Sequence, residues 1–260
     1  MTQVVSKHPY RRRKDKHDSR DHKYHLHLTA PLPPETLPRR VDLRSLCSPI
    51  ENQGDLGSCT GHAIVGALEY EENVQQEQVV QLSRLFVYYN ERAIEGTIYE
   101  DAGAEIRDGI KAIAQYGVAK EDLWPYDPSQ FTIKPSLEAY TDAMNRRALQ
   151  YQSVAQNLDA ITHCLAVFKR PIVMGIQVFE SFESEEVART GVVPMPQVGY
   201  EQCLGGHAVL CVGYDLDKEV FIFRNSWGPE WGDAGYFYLP FNYVLNANLA
   251  EDFWIIQKIS

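Results

Sequence analysis

Gln53-Gly54-Asp55-Leu56-Gly57-Ser58-Cys59-Thr60-Gly61-His62-Ala63-Ile64-Val65-Gly66-Ala67-Leu68-Glu69-Tyr70 is the stretch on which the reading of this chain turns. Apolar residues at 64, 67 and 68 have the spacing of a buried helix whose N-terminus lies at or near Cys59. A buried cysteine is ordinarily a small hydrophobe. Cys164 and Cys211, set inside apolar runs, suit that role, but Cys59 is flanked by Gly57, Ser58, Thr60 and Gly61. A free thiol is mostly protonated at neutral pH, so a nucleophilic cysteine needs a helix N-terminus or a nearby cation. The predicted helix supplies the first through its dipole.

Two later segments supply the rest. Gly205-Gly206-His207-Ala208-Val209 carries an imidazole, and Asn225-Ser226-Trp227-Gly228 carries an amide. A thiol, an imidazole and an amide that holds the imidazole in one tautomer are the parts of a cysteine nucleophile system. The histidine is chosen by elimination. His8, His17, His22, His25 and His27 lie in the N-terminal stretch. His62, three residues past Cys59 on the same helix, points away from the thiol, and His163 falls on the polar face of an amphipathic helix. His207 opens a strand-like run, Ala208 to Tyr214, next to two glycines, where backbones approach a cleft closely. Gly57-Ser58-Cys59-Thr60-Gly61 also fits a nucleophile elbow of the α/β-hydrolase type. That elbow must follow a buried strand, and Ser48 to Asp55 is too polar and interrupted to be one.

These residues, in this order, resemble the papain-like (C1) cysteine peptidases, from about Val41 to the C-terminus. The resemblance implies roles. Cys59 is the nucleophile, His207 the general acid/base, protonated in a resting ion pair, and Asn225 its orienting amide. Gln53, six residues before Cys59, is the oxyanion donor beside the Cys59 N–H. Trp227 shields the Asn–His bond. Gly103 and Ala104 match a pair that bonds substrate backbone, and Gly206 borders the same cleft. Ile106, Met174 and Ile176 are candidate lining for an apolar pocket. Leu56 stands where the lysosomal signature has a cysteine and Thr60 where it has an aromatic, departures that look bacterial or viral. The implied activity is endopeptidase cleavage through a Cys59 thioester. The alternatives are a catalytically silent binding protein or an acyltransferase/ligase on the same fold.

Composition sets the frame. The chain has 260 residues, 44% of them hydrophobic, enough for a sizeable core. It has no apolar run long enough for a membrane helix and no secretory h-region. Five cysteines without dense spacing argue against a disulfide scaffold, with a Cys47–Cys203 pair left open. The expected location is cytoplasmic, or exported without a standard signal. Residues 1–40 carry a net charge of +6 and the remainder −16. The first segment reads as a basic, Pro/His-rich extension and residues 41–260 as the catalytic domain. A tail of that charge is drawn to the acidic domain, where it either occludes the cleft or wraps the back as support. Pro31 to Pro38 is read as a stiff, extended stretch. The expected partners are protein or peptide substrates, with no nucleic acid and no membrane. No cofactor motif is present, and the histidine cluster at His22, His25 and His27 lacks supporting metal ligands.

The coarse pattern is helices first, then strands, which predicts an α+β fold of two halves with the site in the cleft between them. Helices are expected from Cys59, over Ser83–Arg92 with Ser83 as N-cap, over Ala104–Tyr116 stopped by Gly117, and near 157–169. Strands are expected at Pro171–Val178, His207–Tyr214, Val220–Arg224, Tyr236–Leu239 and Phe253–Ile259.

Overall fold

The computed structural model describes residues 6–18, 21–24, 37–76 and 80–259. His25, His27 and the run from Pro31 to Thr36 lie outside the described residues. In chain order the elements are β1 (Arg40–Asp42), α1 (Cys59–Gln76), α2 (Arg84–Glu95), α3 (Ile106–Tyr116), α4 (Leu137–Ala143), β2 (Ala148–Ser153), α5 (Leu158–His163), β3 (Ile172–Phe179), α6 (Glu185–Thr190), β4 (Cys203–Asp215), β5 (Val220–Arg224), β6 (Tyr236–Pro240), α7 (Phe241–Val244) and β7 (Ala250–Ile259). The fold is α+β, as expected, with a helical first half and an antiparallel sheet in the second.

The sheet runs β2-β7-β3-β4-β5-β6. β4 is its spine. β3 pairs with the first part of β4, Cys203 to Cys211, and β1 takes over the same edge at Gly213–Asp215. β5 covers the other edge, with Leu210 opposite Arg224. β4 is buried from His207 to Val212 because helices cover one face and the sheet's own core the other. α1 lies across β4 and β7 and is buried all round from Cys59 to Glu72, as a helix in the middle of a core must be.

Burying acidic residues on α1 requires partners. Glu69 accepts two hydrogen bonds from the Arg84 guanidinium, at 3.0 and 2.7 Å, and one from the Leu82 N–H at 2.8 Å, and it also meets the Ser48 hydroxyl. This cluster ties α1 to the start of α2. There the Ser83 hydroxyl accepts from the Phe86 N–H at 3.0 Å, the predicted N-cap.

The structure shifts several expected boundaries. α3 starts at Ile106, two residues late, because Glu105 is extended and the Ala104 carbonyl is bonded elsewhere. β4 starts at Cys203, so His207 sits within the strand, not at its start. α5 ends at His163 and widens into a π turn over Cys164–Phe168. His163 is buried, not on a polar face, and its ring bonds the Tyr24 hydroxyl at 2.7 Å. β7 begins at Ala250, three residues early. α4, α6, α7, β1 and β2 were not anticipated. All five cysteines are free, so Cys47 and Cys203 do not pair. Among the described residues no helix is long and apolar enough to cross a membrane.

Replacing Arg84 with methionine leaves Glu69 a buried carboxylate without its cation, and breaking such a pair costs roughly 3–5 kcal/mol. Urea unfolding of Arg84→Met should show a loss of that order, and Arg84→Met/Glu69→Leu should recover most of it.

Candidate active site

Cys59 is the first residue of α1 and is fully buried. Its sulfur lies beside the backbone N–H groups of Thr60 and Ala208, the first belonging to the open N-terminus of the helix. Ala208 is the next residue along β4 from His207. The His207 ring bonds Asn225 Oδ1 through Nε2 at 2.9 Å. Because an amide oxygen only accepts, Nε2 carries the proton and Nδ1 keeps its lone pair. Nδ1 is buried and has no hydrogen-bond partner among the described residues. Asn225 directly follows β5, whose pairing with β4 brings it alongside His207. Its oxygen also accepts from the Ser226 N–H at 2.9 Å, which fixes which way the amide points. Trp227 stacks on the imidazole at 5.0 Å and 23° and covers the pair.

Gln53 joins this group through the same segment. Its N–H donates to the Ser226 carbonyl at 2.9 Å, and Asn52 bridges to Trp227. The Gln53 side chain is fully buried. Its Oε1 accepts from the Ser226 hydroxyl at 2.6 Å, and Nε2 donates to the Leu56 carbonyl at 2.9 Å. One amide hydrogen remains for another acceptor. The thiol, the imidazole, the orienting amide and a side-chain donor are thus assembled from α1, β4 and the loops before α1 and after β5.

The profile of the papain family of cysteine proteases matches residues 37–254. The chain belongs to that family. Peptidase C1-like protein L477 of Acanthamoeba polyphaga mimivirus is 44% identical over 90% of this chain and 79% of its own length. Thiol protease aleurain of Arabidopsis thaliana is 30% identical over 78% of this chain, which spans only 55% of the plant protein. The crystal structure of xylellain, a cysteine protease from Xylella fastidiosa, superposes with a TM-score of 0.85 at 38% identity, covering 99% of this chain and 100% of that one. The relatives place this cysteine protease nearer the viral and bacterial branches than the lysosomal ones.

Residues 6–18 of the protease run through the cleft between its halves. His8 stacks on Trp227 at 3.9 Å, and Tyr10 sets its ring edge against His207 at 5.9 Å. Arg12 N–H donates to the Gly206 carbonyl at 3.0 Å and Arg13 N–H to the Ala104 carbonyl at 3.1 Å, one bond to each wall. Gly103, at φ +66°, packs so closely under the Arg11 carbonyl that a side chain there would collide with it. Gly103, Ala104 and Gly206 therefore line the cleft. Ile106, Met174 and Ile176 are fully buried in the main core. Gly175, between the last two, meets the Arg12 side chain, so Met174 and Ile176 point to the opposite face of β3. The expected apolar lining is absent at that place, because strand alternation sends those two side chains into the core.

The segment's cations meet acids along the cleft. Arg11 pairs with Asp101, Arg12 with Glu251 and Asp252, Arg13 with Glu95, and Lys16 with Glu105 at 3.6 Å. Farther on, Trp254 donates to Asp15 at 2.8 Å, and Arg107 pairs with Asp21. Glu95, Glu105 and Asp108 come within 4.8 Å of one another. Arg13, Lys16 and Lys111 already neutralise them, so ion pairing accounts for the cluster without a metal. None of these acidic partners was singled out from the sequence. The glycine inside an otherwise apolar strand, Gly175, was the available signal of a close approach.

Burial dominates the electrostatics of the filled cleft. It pushes the Cys59 thiol up to about 11, against the pull of the two backbone N–H groups, and the His207 imidazole down to about 4, against the Asn225 bond. Both groups are therefore neutral at pH 7 while residues 6–18 are in place, and the expected resting ion pair is not favoured in this form. Because Cys59 is fully buried beneath residues 6–18, its alkylation by iodoacetamide at pH 7 should be much slower in the full chain than in a chain begun at Leu37. Exposed Cys203 should react first at pH 7, as peptide mass spectrometry after limited labelling will read.

Proposed function

We propose that this cysteine protease is an endopeptidase with Cys59 as nucleophile, His207 as general acid/base, Asn225 as its orienting group and Gln53 as an oxyanion donor. The observation that carries the reading is the Nε2 bond to Asn225, which leaves a bare Nδ1 on the histidine that immediately precedes Ala208, whose N–H lies beside the helix-borne thiol. In the open cleft, water and the helix N-terminus favour the thiolate–imidazolium pair that burial suppresses. The sulfur attacks the scissile carbonyl and forms a C–S bond. Negative charge develops on the carbonyl oxygen, where the Cys59 N–H and the free hydrogen of the Gln53 amide stabilise it. Imidazolium then protonates the leaving nitrogen as the C–N bond breaks, giving a thioester and a free amine. Neutral His207 next takes a proton from water, whose oxygen attacks the thioester carbonyl; the C–S bond breaks, the carboxylic acid leaves, and the thiolate–imidazolium pair is restored. Trp227 keeps bulk water from the Asn225–His207 bond.

We further propose that residues 1–40 act as a built-in occluding extension to the domain that begins near Val41. Two hydrogen bonds to opposite cleft walls, the ring contacts of His8 and Tyr10, and ion pairs along the cleft support this reading over the alternative of a support on the back.

Two measurements test these roles. The chain begun at Leu37 should hydrolyse a small fluorogenic peptide with a clearly higher kcat/KM than the full chain, and the gap should narrow at high salt as ion pairs are screened. Equal activity at low and high salt would exclude occlusion. Cys59→Ala in the same shortened chain should lose turnover while its circular dichroism spectrum is unchanged; turnover surviving in the purified variant would overturn the nucleophile assignment.

A further inference from the structure

The Arg12 side chain sits in a slot whose construction is specific. Its guanidinium is fully buried and donates to Asp252 Oδ2 at 2.6 Å and to Glu251 Oε1 at 2.8 Å. Its backbone N–H holds the Gly206 carbonyl, so the side chain leaves the occupying segment immediately beside His207. The slot exists because Gly175 has no side chain: a Cβ there would fall within the guanidinium. Two consecutive strand residues normally point to opposite faces. Here β7 carries a bulge. Val173 to Gly175 of β3 is matched by Trp254 to Glu251 of β7, one residue too many, and Asp252 takes φ +60°. The bulge turns both carboxylates to the same side, onto the buried Arg12 guanidinium, while the exposed Lys14 ammonium reaches the other oxygen of Glu251 at 2.5 Å. Bulges re-aim side chains in this way next to active sites, and a left-handed backbone outside glycine is maintained only when its surroundings hold it.

From this geometry we propose that the slot is the specificity pocket of the protease and that it takes an arginine side chain, or less well a lysine, of the polypeptide being cleaved. The inference rests on the peptidase reading above and adds the chemical class of substrate. Arg12 is the stand-in: it offers a guanidinium from a polypeptide segment whose backbone is bonded to Gly206, the residue before His207. When Arg12 leaves, Glu251 and Asp252 remain as adjacent carboxylates in a concave site with side chains only 14% and 10% exposed. Burial already holds the Asp252 carboxyl above its ordinary range with Arg12 present. A neutral side chain in the slot would leave two like charges facing each other, whereas a guanidinium satisfies both with one planar group. A lysine ammonium is a compact point charge and does not span the pair in this forked geometry.

The test uses the full chain with Arg12→Ala, which vacates the slot, and a peptide library varied at each position flanking the scissile bond. Ratios between peptides do not depend on how many molecules are open at a given moment. At one position arginine should be preferred over norleucine by about 10- to 100-fold in kcat/KM, the range for a buried charged pair. Adding Glu251→Gln and Asp252→Asn should bring the two within about threefold, chiefly by slowing the arginine peptides. Gly175→Ala, which fills the slot without touching its charge, should also remove the arginine advantage. No basic preference at any position, or a preference that survives neutralisation of both carboxylates, would overturn the proposal. A second readout is independent of turnover. Ethylguanidine should raise the Tm of the Arg12→Ala chain saturably and leave that of the variant lacking both carboxylates unmoved; equal shifts in the two would count against the slot. If folded Arg12→Ala cleaves no library member even at high salt, where the ion pairs that hold the rest of the segment are screened, the peptidase reading fails, and the ethylguanidine measurement still decides whether the slot selects a guanidinium.

Discussion

The structure depends on α1 lying across β4. That packing brings the N-terminus of a helix in one half to the middle of a strand in the other, and it alone sets Cys59 next to His207. The remaining features steady this approach. The Glu69–Arg84 cluster fixes α1 against α2, β1 and β3 share one edge of β4, and β5 guards the other while delivering Asn225. Gln53 and Asn52 are laced to Ser226 and Trp227, so the donor and the histidine's amide are parts of one bonded loop pair. A tilt of α1 would carry the thiol away from the Ala208 N–H and from the neighbouring imidazole together.

Desolvation gives the same residues two electrostatic states. With residues 6–18 in the cleft, the low dielectric raises the thiol and lowers the imidazole, so the uncharged pair wins. With the cleft wet, the proposed resting state is the charged pair, favoured by the helix N-terminus and a hydrated imidazolium.

Much of this was legible in the chain itself. Cys59 at a helix start, His207 beside two glycines and Asn225 before a tryptophan announce themselves because chemistry demands those residue types in special backbone settings. Ser83 and Gly117 marked helix ends because capping is local. β2 and α4 escaped because short elements on the surface carry weak periodicity, with stability supplied by tertiary packing. The start of β7 escaped for another reason. Ala250-Glu251-Asp252 has neither alternation nor β-branching, and its bulge breaks the period that would reveal a strand. The acids that receive the basic tail were invisible because they come from three separate places, Asp101, Glu95–Glu105 and Glu251–Asp252, which only the fold draws into one groove. Met174 and Ile176 were read as pocket lining because apolar side chains on a strand do not declare which face is the core. The residue between them, a glycine, decided it.

The occupant of the cleft belongs to the same chain as the cleft. Its contacts (hydrogen bonds, partly exposed ion pairs and the buried Arg12 guanidinium) act without the entropy cost of bringing two molecules together. A tethered segment behaves as a ligand present at a fixed effective concentration, on the order of millimolar for short flexible tethers. Diluting the protein therefore cannot empty the groove, and neither can raising its concentration fill it further. On the occlusion proposed above, a freely diffusing peptide competes with a covalently attached neighbour, so gaining entry is a question of ratio between two local concentrations, set as much by the length of chain joining the segment to the domain as by any contact within the groove.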